Sequence, residues 1–302
     1  MRPSFAGTRI AAALGLAALA AGAVAAAPAV LAGPDDAEPA SAMRVRVGAP
    51  PPAAAPPEAS PRSVPAFLAP GGDAHHEFYF TRAVYSDGRG MRGGWGRRGS
   101  WATDYPKADR QFLVVLKRLV GIDAYERENA VSLADPELRR FPYLYALEVG
   151  GMRMSEEEVL GLRSYLEAGG FLVIDDFWGT YEWDNFEREM ARVFPGRQIE
   201  DLPLDHPIFN AYYDITEVRQ VPQVGLAERI ALGWDDRTWE CAGCTPRVRG
   251  IFDDERRLMV VINFNTDLGD AWEWAEDPYY PLEYSTYAFE VGVNMIVYAM
   301  SH

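Results

Sequence analysis

The chain has little of what several protein classes need. Only two cysteines occur in 302 residues, too few for a small scaffold built on disulfides. Cationic residues are in deficit, 29 Lys+Arg against 44 Asp+Glu for a net charge of −15. That argues against a nucleic-acid partner, which demands a cationic surface. Histidine is scarce. His75 and His76 sit at the edge of the aromatic-rich part and His302 is terminal, which leaves His206 as its one internal imidazole. Aromatics are nearly missing from residues 1–77, which hold only Phe5 and Phe67 of 37 but 12 of the 22 prolines. Such a stretch has too few large apolar groups to offset its ordering entropy. The average composition therefore blends a tail that cannot fold with a domain over residues 78–302.

What is present at the N-terminus reads as an export signal over residues 1–32. Arg2 and Arg9 precede an apolar stretch from Ile10 to Val24, and Val30-Leu31-Ala32 before Gly33 has the small-x-small form of a cleavage site, with Ala23-Val24-Ala25 as a second choice. The apolar core is shorter than the roughly 20 residues of a spanning helix, so a retained inner-membrane anchor is the alternative. No cysteine lies nearby for lipidation. Removing residues 1–32 takes away Arg2 and Arg9 and no acid, so −15 becomes −17. Residues 33–77, with Pro50-Pro51-Pro52 and Pro56-Pro57, read as a disordered tether.

Downstream, Phe78 to Tyr85 is aromatic and β-branched and predicts a strand. Residues 109–119 have helical spacing and stop at Gly121. Tyr143 to Val149 predicts a strand, and Ser155-Glu156-Glu157-Glu158 is a capping box opening a helix that ends at Gly169-Gly170. Phe171 to Ile174 is wholly apolar, as in a parallel sheet covered on both faces. Asp184 is expected to cap a further helix ended by Pro195-Gly196, residues 248–264 to form a hairpin, and about 287–300 to form the last helix. Strand–helix alternation predicts an α/β three-layer sandwich with a mostly parallel sheet. Its ligand edge is expected in the crevice beyond the strand C-termini.

Several ordered motifs carry a family resemblance. They are Asp104-Tyr105-Pro106, Gly169-Gly170-Phe171 with Asp175-Asp176-Phe177, Asp205-His206-Pro207-Ile208-Phe209, the run Asn263 to Trp274, and Gly292 to His302. Together they resemble the domain-of-unknown-function family numbered 4159 over roughly residues 78–302. The resemblance implies a flavodoxin-like, class I glutamine amidotransferase-like fold in a bacterial protein that is exported or tethered, without an agreed activity. Amidotransferases of that fold place a nucleophilic Cys on a tight turn after a strand. Here that position carries Asp175-Asp176, and the cysteines lie far along the chain, so glutaminase chemistry has no nucleophile.

The candidate chemistry follows from these placements. Asp175 and Asp176 suit metal ligation or general-base work. Adjacent strand residues face opposite ways, so one of them faces the crevice, and helix capping in a tight turn is the bland alternative. His206 is a candidate for proton transfer or for bracing a loop before Pro207. Asp267 and Asp270, with Asn263 and Asn265, concentrate oxygen ligands and admit a divalent cation, although the EF-hand order is lacking; Asx-type bonds within a long loop are the alternative. Trp272 and Trp274 fit a stacking platform or a core plug. The Gly-rich loop with Arg89, Arg92, Trp95, Arg97 and Arg98 fits an anion clamp, a lid or a disordered loop, and has no phosphate-loop spacing. Cys241 and Cys244 lack the partners for zinc, and Thr245 stands where haem attachment needs His. A local disulfide is their plain reading.

Two functions are weighed. The first is a non-catalytic domain that binds an envelope ligand or a protein partner in the periplasm or another extracytoplasmic space. The second is a hydrolase using the carboxylates and His206, with or without a metal, on an envelope substrate. No cofactor is expected beyond a divalent cation, and no membrane contact beyond an uncleaved N-terminus. Convergence of the carboxylates and His206 in one place discriminates the two.

Overall fold

A computed structural model describes residues 76–88 and 99–302. The expected signal segment, the expected tether as far as residue 75, and all five loop residues Arg89, Arg92, Trp95, Arg97 and Arg98 lie outside the described residues. The last two tether positions are described, and His76 is not tether, its Nδ1 lying 2.8 Å from the Asp123 carboxylate. Among the described ones no helix is long and apolar enough to cross a membrane.

Seven strands form one sheet: β1 (Thr81–Val84), β2 (Asn129–Ser132), β3 (Tyr143–Leu147), β4 (Phe171–Asp175), β5 (Glu200–Asp201), β6 (Arg247–Phe252) and β7 (Leu258–Phe264). Their order is β2-β1-β3-β4-β7-β6-β5. The first five in that order run parallel, while β6 and β5 are antiparallel to their neighbours. The helices are α1 (Lys107–Val120), α2 (Glu156–Glu167), α3 (Gly179–Val193), α4 (Val224–Ala231), α5 (Leu268–Glu273) and α6 (Leu282–Ser301).

Strand alternation divides the apolar residues between two cores. Tyr143, Tyr145, Leu147, Phe171 and Val173 pack with Phe112 of α1, Trp272 of α5 and Val291 and Met295 of α6. Leu144, Ala146, Leu172 and Ile174 pack with Val159 and Leu162 of α2 and Phe186 and Met190 of α3. Both faces are thus covered, which is why β3 and β4 are apolar without interruption. The period of two also aims Asp175, four residues after Phe171, toward the α1/α5/α6 side.

Local signals act where expected at α2. Ser155 accepts from the Glu158 backbone while the Glu158 side chain accepts from the Ser155 backbone. The helix ends at Gly169, whose φ of 104° only glycine adopts freely. Other boundaries differ from expectation. α3 starts at Gly179, not after Asp184, because extended Trp178 is its N-cap and the Glu182 carboxylate reaches back to the Trp178 N–H at 2.8 Å. α6 starts at Leu282, five residues early, since Pro281 ends the preceding loop. Short elements escaped the periodicity altogether: β2, β5, α4 and α5.

Candidate functional site

The parallel strands deliver their C-termini to one edge, and the acids after them meet there. Asp175, wholly buried at the end of β4, accepts three hydrogen bonds on Oδ2: from the Tyr145 hydroxyl at 2.7 Å and from the Leu268 and Gly269 N–H groups at 2.9 and 3.1 Å. Its Oδ1 has no partner. Burial pushes its pKa up to about 7, against the pull of those hydrogen bonds. Asp176 follows in a left-handed conformation, φ 47°, with Oδ1 accepting from the Trp178 indole at 3.0 Å. Asp267 caps α5 by accepting from the Asp270 N–H at 2.8 Å, and Asp270 accepts from the Val224 N–H at 2.6 Å.

Two further acids complete the group. Asp104, in the loop before α1 with φ 59°, has a buried Oδ2 without a partner. Gly269 leaves room for that oxygen, since a Cβ there would stand 2.6 Å from it and 3.2 Å from the Tyr145 hydroxyl. Glu240, on the loop before β6, is exposed as a residue, yet desolvation of its carboxyl, with Glu148 and Asp270 nearby, pushes its pKa up to about 7. The ligand oxygens of Asp104, Asp267 and Asp270 lie within 4.8 Å of one another, and so do those of Asp176, Glu240 and Asp267.

Desolvation is the largest cause raising the pKa of Asp104, Asp176, Asp267 and Asp270, and the neighbouring carboxylates add to it for the first three. For Asp270, the Val224 N–H and the Lys107 charge work the other way. Two unit charges at this spacing repel by about 3–4 kcal/mol at an effective dielectric near 20. The triads therefore hold protons or a counter-cation rather than bare charge. Among the described residues no Lys or Arg forms a salt bridge to any of these acids. Arg82, wholly buried, is committed to Asp109 and to the Thr103 carbonyl at 2.9 Å. Lys107 stands over the Trp274 ring at 3.7 Å.

Asp267 and Asp270 each give an oxygen to a backbone N–H, which leaves the gathering of the acids unexplained. A hard divalent cation fits. Around Ca²⁺, at bonds of about 2.3–2.6 Å, even opposed ligand oxygens are no more than about 5.2 Å apart.

The other candidates stand elsewhere. His206 caps a short 3-10 turn, its Nδ1 accepting from the Ile208 N–H at 3.3 Å, and its ring packs on Phe252 and Tyr298. Phe252 pairs with Leu258 at the start of β7, so His206 is at the opposite edge of the sheet and takes no part in the crevice. Trp272 is a core plug, wholly buried against Phe80, Phe112 and Tyr145, because the helix α5 turns it inward. Trp274 is half-buried under Lys107. Asn263 and Asn265 brace the backbone: Asn263 donates to the Ile174 carbonyl at 3.1 Å, and Asn265 joins the Gly179 N–H to the Thr245 carbonyl. Cys241 and Cys244 form a disulfide with Cα atoms 5.5 Å apart. Its Cys241 sulfur packs beside Gly179 at the head of α3.

Sequence reasoning passed over Asp104 and Glu240 as site residues. Asp104 had one signal, its place in the Asp104-Tyr105-Pro106 run. Glu240 had only its position next to Cys241.

A family model described as a domain of unknown function (DUF4159) matches residues 88–300. The chain belongs to that family. No curated protein matches it.

Proposed function

We propose that this chain is a divalent-cation-dependent binding module of the cell envelope. Its ligand edge is the carboxylate crevice beyond β4 and β7, and it does not work as a glutamine amidotransferase. The observation that carries the reading is the gathering of Asp104, Asp176, Glu240, Asp267 and Asp270 from four stretches of chain, with Asp104 Oδ2 buried and unpartnered among them. Oxygen-only ligands of this kind select hard cations over zinc or copper. A cation held there keeps coordination positions open to an oxygen-bearing envelope ligand or to a carboxylate of a partner protein.

The strand order β2-β1-β3-β4-β7 supports a flavodoxin-like, amidotransferase-like identity for the domain, with β6 and β7 as its hairpin. The turn after β4 carries Asp176 where that reading would place a cysteine. The basic and apolar pattern of residues 1–32 supports export, with residues 33–77 as the tether.

Calcium added to the chelated full chain is expected to raise its melting temperature by several degrees. A ligand at a hundred times its Kd adds about 2.7 kcal/mol. Potassium at matched ionic strength is expected to leave the melting temperature where it was. No shift and no binding with calcium, magnesium or manganese at millimolar concentration sinks the reading.

Metal-assisted hydrolysis is a second reading. It is favoured by Asp175, whose carboxyl titrates near neutrality with Oδ1 unpartnered. The version that relies on His206 loses its support, because that ring is at the other edge of the sheet.

A further inference from the structure

The five carboxylates do not form one ring. They fall into two sets of three, Asp104/Asp267/Asp270 and Asp176/Glu240/Asp267, which have only Asp267 in common. Each set is compact enough for a single calcium-sized ion. We propose that the crevice holds two divalent cations with Asp267 as the shared ligand. This rests on the cation reading above and deepens it.

Charge balance points the same way. Five carboxylates carry five negative charges when ionised, and one divalent ion leaves three of them unanswered in a desolvated place. A second ion leaves one of these five, Lys107 acts on Asp270 from its position over Trp274, and Asp175, Glu148 and Glu273 add further negative charge beside them. Asp267 has the capacity to bridge. A carboxylate has about four lone-pair sites, and the Asp270 N–H takes one of those on Asp267 Oδ1.

The unpartnered buried oxygens lie on the side of the first set. Asp104 Oδ2 lies over Gly269, and Asp175, whose Oδ1 is buried without a partner, accepts on Oδ2 from the Gly269 N–H. The second set also depends on the loop that carries Glu240. That loop is pinned by the Cys241–Cys244 disulfide, by the Gln220 amide on the Cys244 carbonyl at 3.1 Å, and by the Asn265 amide on the Thr245 carbonyl at 2.8 Å.

The test is the calcium stoichiometry of the full chain by equilibrium dialysis and elemental analysis at about millimolar calcium, the affinity range of extracellular calcium modules. The expected result is two ions per chain, one in Glu240→Gln, one in Asp104→Asn, and none in the double variant. Glu240 is exposed, so Glu240→Gln keeps the fold. Should Asp104→Asn fail to fold by near-ultraviolet circular dichroism, the comparison of wild type with Glu240→Gln decides alone. One ion in the wild-type chain overturns the two-ion centre while leaving the cation reading standing. Two ions retained in Glu240→Gln also overturn it as assigned. No ion at all overturns both.

Discussion

Asp109 and Asp267 are both buried acids at the same helical layer of the sheet, and their desolvation is compensated in different ways. Asp109 has its counter-charge inside the molecule. Arg82 of β1 pairs with it, and the guanidinium lies over the Tyr145 ring at 5.0 Å. Burial works against the Arg82 charge, but Asp109, Tyr145 and Asp104 together outweigh it and the Arg82 pKa rises, while burial still holds the Asp109 carboxyl above its ordinary value against the pull of Arg82. Asp267 has other carboxylates for neighbours instead. A fold that can place Arg82 against Asp109 has the means to neutralise an acid in its own core. In the crevice Lys107 acts in that way on Asp270 and Arg82 on Asp104, whereas the groups acting on Asp176 and Asp267 are other acids.

The largest expected effect breaks the internal pair. Arg82→Met leaves Asp109 charged and alone, and removal of one partner of a buried pair costs about 3–5 kcal/mol. Urea denaturation of the full chain is expected to show that loss. Arg82→Met with Asp109→Leu is expected to recover most of it, since apolar replacement of a whole buried pair is often neutral. A single variant as stable as the wild type would show that the pair is not charged.

The crevice is expected to respond with the opposite sign. In the chelated chain, Asp267→Asn keeps an N-cap oxygen and removes a repelling charge. Stability at pH 8 is expected to rise by about 1 kcal/mol or more, one pKa unit being worth about 1.4 kcal/mol. The pH dependence has the same origin. The crevice acids have folded-state pKa values above the unfolded value of 3.8, with Asp175 at about 7. From about pH 4 to pH 7 the native chain therefore binds more protons than the unfolded chain, and stability falls as pH rises through that window. Without cations the protein is expected to melt higher at pH 5 than at pH 8. Calcium is expected to shrink that difference and to turn Asp267→Asn from stabilising to destabilising. Equal melting at both pH values in chelator would remove the contrast between Asp109 and Asp267.

The smallest effect belongs to His206 at the far edge. His206→Ala is expected to cost about 1 kcal/mol, the usual loss for a removed cap, with the calcium stoichiometry unchanged. Any loss of bound calcium in that variant would join the two edges functionally.

Much of the scaffold was legible because its signals are local. The apolar runs of β3 and β4, the Ser155–Glu158 box and the Gly169 stop each act within a few residues. Asp175-Asp176 could be placed at the C-terminal edge of the parallel strands because they follow an apolar run directly. The short elements α4, α5, β2 and β5 could not be read, since each is too brief for a period to show.

By itself, the sequence determined the alternation of strands and helices, the acidic balance, and the absence of a cysteine after β4. Tertiary structure alone decided which acids meet. Asp104 and Glu240 are 136 residues apart and share no local pattern. They meet near Asp267 because parallel strands return their C-terminal ends to one edge of the sheet. The same geometry separates His206 from the crevice, since its loop follows β5 and packs where β6 ends. Proximity across a sheet is set by strand order, which side-chain composition along the chain does not encode locally.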